Sequence, residues 1–338
     1  MALENFKDIE NALNEVEKKP LKIVFLDFIG PFETSNILKF KTRGKKAEND
    51  SDNKLRESIL EQILDLNLDD IPDDDEYKKD WIDLKTKWKD ILISIIPEKF
   101  RNKVQEINIK QKGGRTHNYD FLVEYDVEEC KKILRKVEFK FNCKELKDLP
   151  QFIQLPDSSD IIRVKNKGVL YSEFYFDKYL EDYLKLDNRD IIEKSEYLKH
   201  IKKVDRSCHP FFEKLYKNYE NNKKAKEDII NKSIKDFIEK YNENLNIDYL
   251  FDKINEPQKD KYYIMFSYNP GPGAGNKDGG IFYVDKIPLL DKDNHMITYT
   301  KNTIVIDNVK SKGRYKLLLR WKNRLGVLNP AWQISYSP

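Results

Sequence analysis

Two short stretches of strict period-two alternation, YDFLVEY from Tyr119 to Tyr125 and KVEFKFN from Lys136 to Asn142, constrain the fold of this chain more than any other feature in it. Alternation at that period marks a strand with one face packed and the other exposed. In the first stretch Tyr119, Phe121, Val123 and Tyr125 share one face, and Asp120, Leu122 and Glu124 share the other. In the second, Val137, Phe139 and Phe141 point one way while Glu138 and Lys140 lie together on the opposite face. Between them, DVEECKKIL carries Asp126 at an N-cap position with Glu129 three residues on, which predicts either a short helical turn or a tight excursion. If the two strands are neighbours, Asp120 and Glu138 converge.

That convergence has a chemical use. Hard cations such as magnesium take oxygen ligands, prefer one or two carboxylates plus waters and substrate phosphate, and are held readily from adjacent strands. A cation lowers the pKa of its bound water and neutralises charge that develops on a phosphate, and an ammonium two residues along the same face adds to that stabilisation. Asp120 and Glu138 are then the expected ligands and Lys140 the expected ammonium. The plainer reading is also open: in a chain that is 36% charged, an amphipathic strand carries Glu and Lys at alternate positions as its solvated face.

Asp120 followed by Glu138, Phe139 and Lys140, reading EFK, resembles the motif of the PD-(D/E)xK nuclease superfamily, across roughly a third of the chain. The resemblance implies a restriction-endonuclease-like fold of the α/β (α+β) class, a mixed sheet flanked by helices. It implies Asp120 and Glu138 as metal ligands joined by the backbone carbonyl of Phe139, with Lys140 catalytic. The residue before the aspartate is Tyr119, where the family motif has proline.

A chain of 338 residues can bury a substantial core, as one elaborated domain or two smaller ones. Lysine and arginine total 62 against 59 acids, a net charge of +3, which does not demand a nucleic-acid partner but permits one where the charge is segregated. Cys130, Cys143 and Cys208 make neither an even framework nor a Cys-x-x-Cys pair, so a reducing, intracellular setting is expected and structural zinc is not. No apolar run has membrane-spanning length, and the acidic amphipathic N-terminus is unlike a secretion signal.

In chain order, Leu3 to Val16 reads as an amphipathic helix followed by an apolar strand, LKIVFLDFIG. Lys39 to Lys46 reads as a basic loop whose Arg43 and Lys45 are candidate phosphate contacts. The next helix is capped by Ser51 or Asp52 and buries Leu55, Ile59, Ile63 and Leu66. Its Glu57 and Glu61 lie one turn apart, and the resemblance implies that one of them, Glu57 first, is presented to the metal. Asp65 to Glu76 is an acidic breaker that lacks the spacing of a calcium loop. The helix after it, stopped at Pro97, places Trp81 and Trp88 on one core-facing side.

Beyond the paired stretches, IIRVKNKGVL predicts two strands about a Lys167-Gly168 turn, and residues 175–249 are mainly helical, most clearly where Ile230, Ile234, Phe237, Ile238 and Tyr241 repeat at helical spacing. The last part is rich in strands. Its loop NPGPGAGNKDGG lacks the Gly-Lys-Ser/Thr ending and the following helix of a phosphate-binding loop, so nucleotide binding is rejected and a hairpin loop expected. Lys310 to Arg324 holds seven basic residues and no acid. There Lys316, Leu318 and Arg320 alternate with Tyr315, Leu317, Leu319 and Trp321, so Lys316, Arg320 and Arg324 are candidate phosphate contacts or else an ordinary solvated strand. Trp321, Trp332 and Tyr336 are expected in the core. The four histidines, His117, His200, His209 and His295, show no metal-ligand spacing, and His117 is either a residue lining the cleft or a plain loop histidine.

The expected organisation is a nuclease-like core over residues 1–175, a helical lobe over 176–255 and a β-rich part over 256–338 that either binds nucleic acid or completes the core. The expected activity is Mg2+- or Mn2+-dependent hydrolysis of phosphodiester bonds in double-stranded DNA, with RNA as the alternative substrate, no membrane partner, and a homodimer allowed. The rival functions are a non-catalytic nucleic-acid-binding protein that uses the basic C-terminal strands, and an interaction protein whose charges are all surface.

Overall fold

A computed structural model describes residues 33–42, 48–113, 117–128, 131–149, 153–202, 209–268, 280–300, 302–310, 313–323 and 326–338. The chain divides into two compact units: Met1–Glu145 with Asp260–Lys286, and Leu146–Lys259 with Ile287–Pro338. This differs from three consecutive segments. Within the β-rich C-terminal part, strands Lys261–Ser267 and Ile281–Asp285 complete the sheet of the first unit, one of the two roles expected of that part, and residues 146–175 belong to the second unit. The expected helix and strand before residue 33 lie outside the described residues.

The first unit is a mixed five-stranded sheet with helices. Helices α1 (Asn49–Gln62) and α2 (Lys78–Ser94) precede β1 (Val104–Gln111), β2 (Phe121–Val127) and β3 (Lys131–Phe141), and the sheet continues through strands Lys261–Ser267 and Ile281–Asp285. Of the paired strands in this sheet, β3 and Lys261–Ser267 run parallel; the other neighbours are antiparallel. A parallel neighbour requires a long crossover, and here the chain between residues 146 and 259 intervenes.

The alternation behaves as expected. Phe121, Val123 and Tyr125 are fully buried, as is Val137, and Phe139 is nearly so. They meet an aromatic cluster led by Trp88, whose ring lies 6.0 Å from Phe121, 6.4 Å from Phe139 and 5.5 Å from Phe282. Trp81 and Trp88 are both wholly buried, and each indole N–H donates to a backbone carbonyl, Thr34 at 2.8 Å and Leu60 at 2.9 Å. That bond lets a polar ring edge sit in the core without a desolvation penalty. Ile59 of α1 is buried, as are Ile63 and Leu66 just beyond its end, and Leu55 packs against the same cluster.

Several local expectations are corrected. Of the two readings of DVEECKKIL the helical turn does not hold: Asp126 belongs to β2, Lys131–Leu134 to β3, and Tyr125 pairs with Ile133 in an antiparallel ladder. Helix α1 begins at Asn49, ahead of Ser51 and Asp52, and Asp52 pairs instead with Lys39 at 2.7 Å. Lys39 therefore lies on a 3-10 turn, Thr34–Phe40, tied to α1. One strand that the sequence pattern does not announce, β1, forms an edge of the sheet.

The second unit holds an antiparallel five-stranded sheet in the order Ile153–Pro156, Leu328–Ser337, Arg314–Asn323, Thr303–Asn308, His295–Thr300, together with the helices between Tyr171 and Asn255. Tyr315, Leu317, Leu319 and Trp321 are buried while Lys316 and Arg320 are exposed, and Trp332 and Tyr336 are buried too. The turn between the two short strands Arg163–Val164 and Lys167–Gly168 is Lys165-Asn166, not Lys167-Gly168. Both turn residues have left-handed backbones, φ 48° and 63°, as a two-residue hairpin with matching strand twist requires. No helix among the described residues is long and apolar enough to cross a membrane.

Candidate functional site

The first unit brings Asp120, Glu138 and Lys140 together. Asp120 sits immediately before β2, where its N–H continues the ladder to Val137 O at 2.9 Å and its own carbonyl accepts from Lys112 N–H at 2.7 Å. Its side chain is then fixed from β3: Oδ2 accepts from the N–H of Phe139 at 2.8 Å. Glu138 and Lys140 project one pleat apart from the same face of β3, as the alternation demands. Lys140 Nζ lies 2.6 Å from Glu138 Oε1 and 3.8 Å from Asp120 Oδ2. One positive centre thus reaches both carboxylates, each of which is more than four-fifths shielded from solvent.

Two residues complete the arrangement. Glu57, from α1, accepts from Gln111 Nε2 at 3.1 Å and shares its electric field with Lys140, Glu138 and Asp120. Glu61 is committed elsewhere, accepting from the backbone N–H of Gln111 at 2.7 Å, so Glu57 is the glutamate of α1 that faces the cluster. Lys261 is a member that the sequence reading misses. It is almost wholly buried, places Nζ 2.8 Å from Glu138 Oε2, and also donates to the carbonyl of Asn118. Its only sequence signal is its place at the start of an apolar strand, where a lysine must find a buried partner.

Burial works against charge on all of these groups. It pushes the Asp120 carboxyl up, with Glu138 and Glu57 adding repulsion that Lys140 and the Phe139 N–H only partly offset, to about 7. Burial also raises Glu57 above its usual range. Glu138 is desolvated as well, but the ammonium groups of Lys140 and Lys261 outweigh that and hold it below its usual value. Lys140 is desolvated yet raised by Glu138 and Asp120, whereas for Lys261 burial prevails and its pKa is lowered.

Asp120 and Glu138 offer carboxylate oxygens, the donor type that hard divalent cations take. Asp120 and Glu138 share the ammonium of Lys140, and Glu57 lies near enough to act on both electrostatically; burial first, and the neighbouring carboxylates second, raise the proton affinity of Asp120. All candidate side-chain donors are oxygens, which suits Mg2+ or Mn2+ and not a thiolate-seeking metal. Phe139 contributes its N–H to Asp120, and its ring is packed in the core.

Lys316 and Arg320 are exposed on the sheet of the second unit, where Arg320 Nη1 donates to Gln333 Oε1 at 3.1 Å. Arg43, Lys45 and Arg324 lie outside the described residues. His117 is an exposed loop residue with its ring 5.3 Å from that of Tyr119. The expectation that no histidines gather is overturned: His200 and His209 meet through Glu196, because a helix end and the following helix start bring together residues that no short spacing motif connects. Neither a scan against models of known protein families nor a search of curated proteins finds a match to this chain.

Proposed function

We propose that this chain is a divalent-metal nuclease of the PD-(D/E)xK kind, with a restriction-endonuclease-like core in its first unit, hydrolysing phosphodiester bonds in DNA. The observation that carries the reading is the single ammonium of Lys140, 2.6 Å from Glu138 and 3.8 Å from Asp120 across two hydrogen-bonded strands, with Glu57 near enough to act electrostatically on Asp120. A solvated strand face does not bury its carboxylates or pair one of them with a buried lysine from a strand distant in sequence.

Asp120, Glu138 and Glu57 would hold Mg2+ or Mn2+, which when bound would supply Lewis acidity and lower the pKa of a coordinated water. The protein's own part is positional. The Phe139 N–H and Lys261 hold Asp120 and Glu138 in fixed rotamers, so the carboxylates need little reorganisation when substrate arrives. Lys140, kept charged by its neighbours, is a donor and not a base; it would steady negative charge growing on the phosphate oxygens. The metal chemistry does not distinguish sugars, so DNA comes first as the substrate and RNA second.

The test is incubation of the purified protein with supercoiled plasmid, linear duplex, single-stranded DNA and RNA, with Mg2+ or Mn2+ and then with excess chelator. Cleavage of at least one substrate that requires the metal and stops with chelator is expected. If neither metal supports cleavage of any of the four, the reading is wrong.

A second expectation concerns the exposed basic side chains of strand Arg314–Asn323. If Lys316 and Arg320 contact phosphates, Lys316→Ala and Arg320→Ala should each weaken duplex binding to a similar degree whatever the sequence. Each should also reduce the slope of log affinity against log salt by about one, since each contact releases condensed counterion. Unaltered affinity and slope in the double variant would make this a solvated surface.

A further inference from the structure

In the second unit, three ligating side chains meet around one carboxylate oxygen. Glu196 and His200 stand one turn apart on helix Lys194–His200, so helix geometry keeps them on one face. His209 is the N-cap of the following helix, Pro210–Lys217, with an extended backbone at φ −150°. His200 Nε2 lies 2.9 Å and His209 Nε2 3.4 Å from Glu196 Oε1, and the two imidazole centroids are 4.8 Å apart. The ligating atoms of all three fall within 4.8 Å of one another. His200 is buried, and Glu196, the most open of the three, leaves one side to solvent.

We infer that Glu196, His200 and His209 form a metal site for an ion of the Zn2+ class, which clamps the end of one helix to the start of the next. Two imidazoles and a carboxylate with a solvent-facing fourth position match the three-ligand donor sets of zinc, and imidazole nitrogen disfavours Mg2+. The two sites thus differ in hardness: the cluster of Glu57, Asp120 and Glu138 offers oxygen alone, and this one offers mainly nitrogen. With no ion bound, His209 Nδ1 accepts from the N–H of Phe211 at 3.2 Å, which puts the imidazole proton on Nε2, facing Glu196. Coordination through Nε2 moves the proton to Nδ1 and breaks that helix-cap bond. One neutral hydrogen bond is a small loss beside three metal–ligand bonds, and its rupture leaves a trace at the Phe211 amide.

The experiment is titration of the chelator-treated whole chain with Zn2+, and separately with Co2+, in the presence of excess Mg2+. One equivalent of Zn2+ is expected to bind without displacement by Mg2+, to raise the thermal midpoint, and to speed hydrogen exchange at the Phe211 amide. Co2+ should give the intense visible bands of a four-coordinate ion. His209→Asn, whose side chain can still accept from Phe211 N–H and keep the cap, should weaken Zn2+ by more than the roughly 10–100-fold that loss of an outer-shell partner costs. Glu196→Gln, at a partly open position, should weaken it too, and Asp120→Asn should not. Absence of a tight equivalent, equal affinity in His209→Asn and wild type, or loss of binding in Asp120→Asn would each overturn the site.

Discussion

On the proposed function, Asp120→Asn, Glu138→Gln and Lys140→Ala are each expected to lower metal-dependent nuclease turnover by at least about 100-fold, a loss on the order of 3 kcal/mol of transition-state stabilisation, with the fold retained. The two carboxylate changes remove negative charge with little change of shape: the amide oxygen introduced by Asp120→Asn can still accept from Phe139 N–H, and the one amide oxygen of Glu138→Gln can still accept from one of the two lysines. What they lose is the charge that draws a cation to the shielded spot. Lys140→Ala leaves Glu138 paired with Lys261, so folding is spared while the ammonium nearest both carboxylates is gone. The three losses should also be strongly non-additive, because the residues act on one charge centre. Turnover measured alongside circular dichroism checks the set, and three variants that cleave as fast as wild type, with spectra intact, would end the nuclease reading.

The second large effect has a counter-intuitive sign: without metal, Asp120→Asn makes the protein more stable at pH 8. The folded state raises the Asp120 carboxyl from an ordinary value near 4 to about 7. Protonated Asp120 therefore contributes stability in full below about pH 4, and that contribution disappears as pH climbs through 7, where the buried carboxylate must ionise beside Glu138 and Glu57. At about 1.4 kcal/mol per unit, the upper limit of the effect is on the order of 4 kcal/mol. The neutral asparagine escapes this loss. Thermal unfolding in chelator across pH 4 to 8 should show a wild-type midpoint that falls relative to the variant by several degrees, and saturating Mg2+ should reverse the order at pH 8. Parallel midpoints across that range would show that Asp120 carries no such strain. A residue that costs stability unless a cation is bound is what the trade between stability and function predicts at a working site.

What could be read in the residues alone was what depends on local periodicity. The alternation of Phe121, Val123 and Tyr125, and of Val137 and Phe139 against Glu138 and Lys140, dictates which side chains share a face, because a strand turns over every residue whatever it packs against. The same holds for Trp81 and Trp88 on α2, and for the apolar stripe of α1. Given two adjacent strands, Asp120 and Glu138 had to come near each other. Local rules failed where several residues compete for one role. The residues Ser51 and Asp52 are good caps, but α1 starts ahead of them and Asp52 answers Lys39 instead. Lys165-Asn166 took the turn expected at Lys167-Gly168, since asparagine tolerates the left-handed backbone nearly as well as glycine.

Three features were decided by the tertiary structure alone, and each depends on a meeting that no local period specifies. The parallel pairing of β3 with Lys261–Ser267 sets Lys136 beside Lys261, and so delivers a buried ammonium to Glu138 across the whole of residues 146–259. The packing of α1 turns Glu57 toward the cluster and ties Glu61 to the edge of β1. The succession of two helices carries His209 to the carboxylate that His200 already holds. Side-chain period is a property of a few neighbouring residues and is written in them; the meeting of distant residues is selected by which faces can be buried together, and only the packed chain makes that choice.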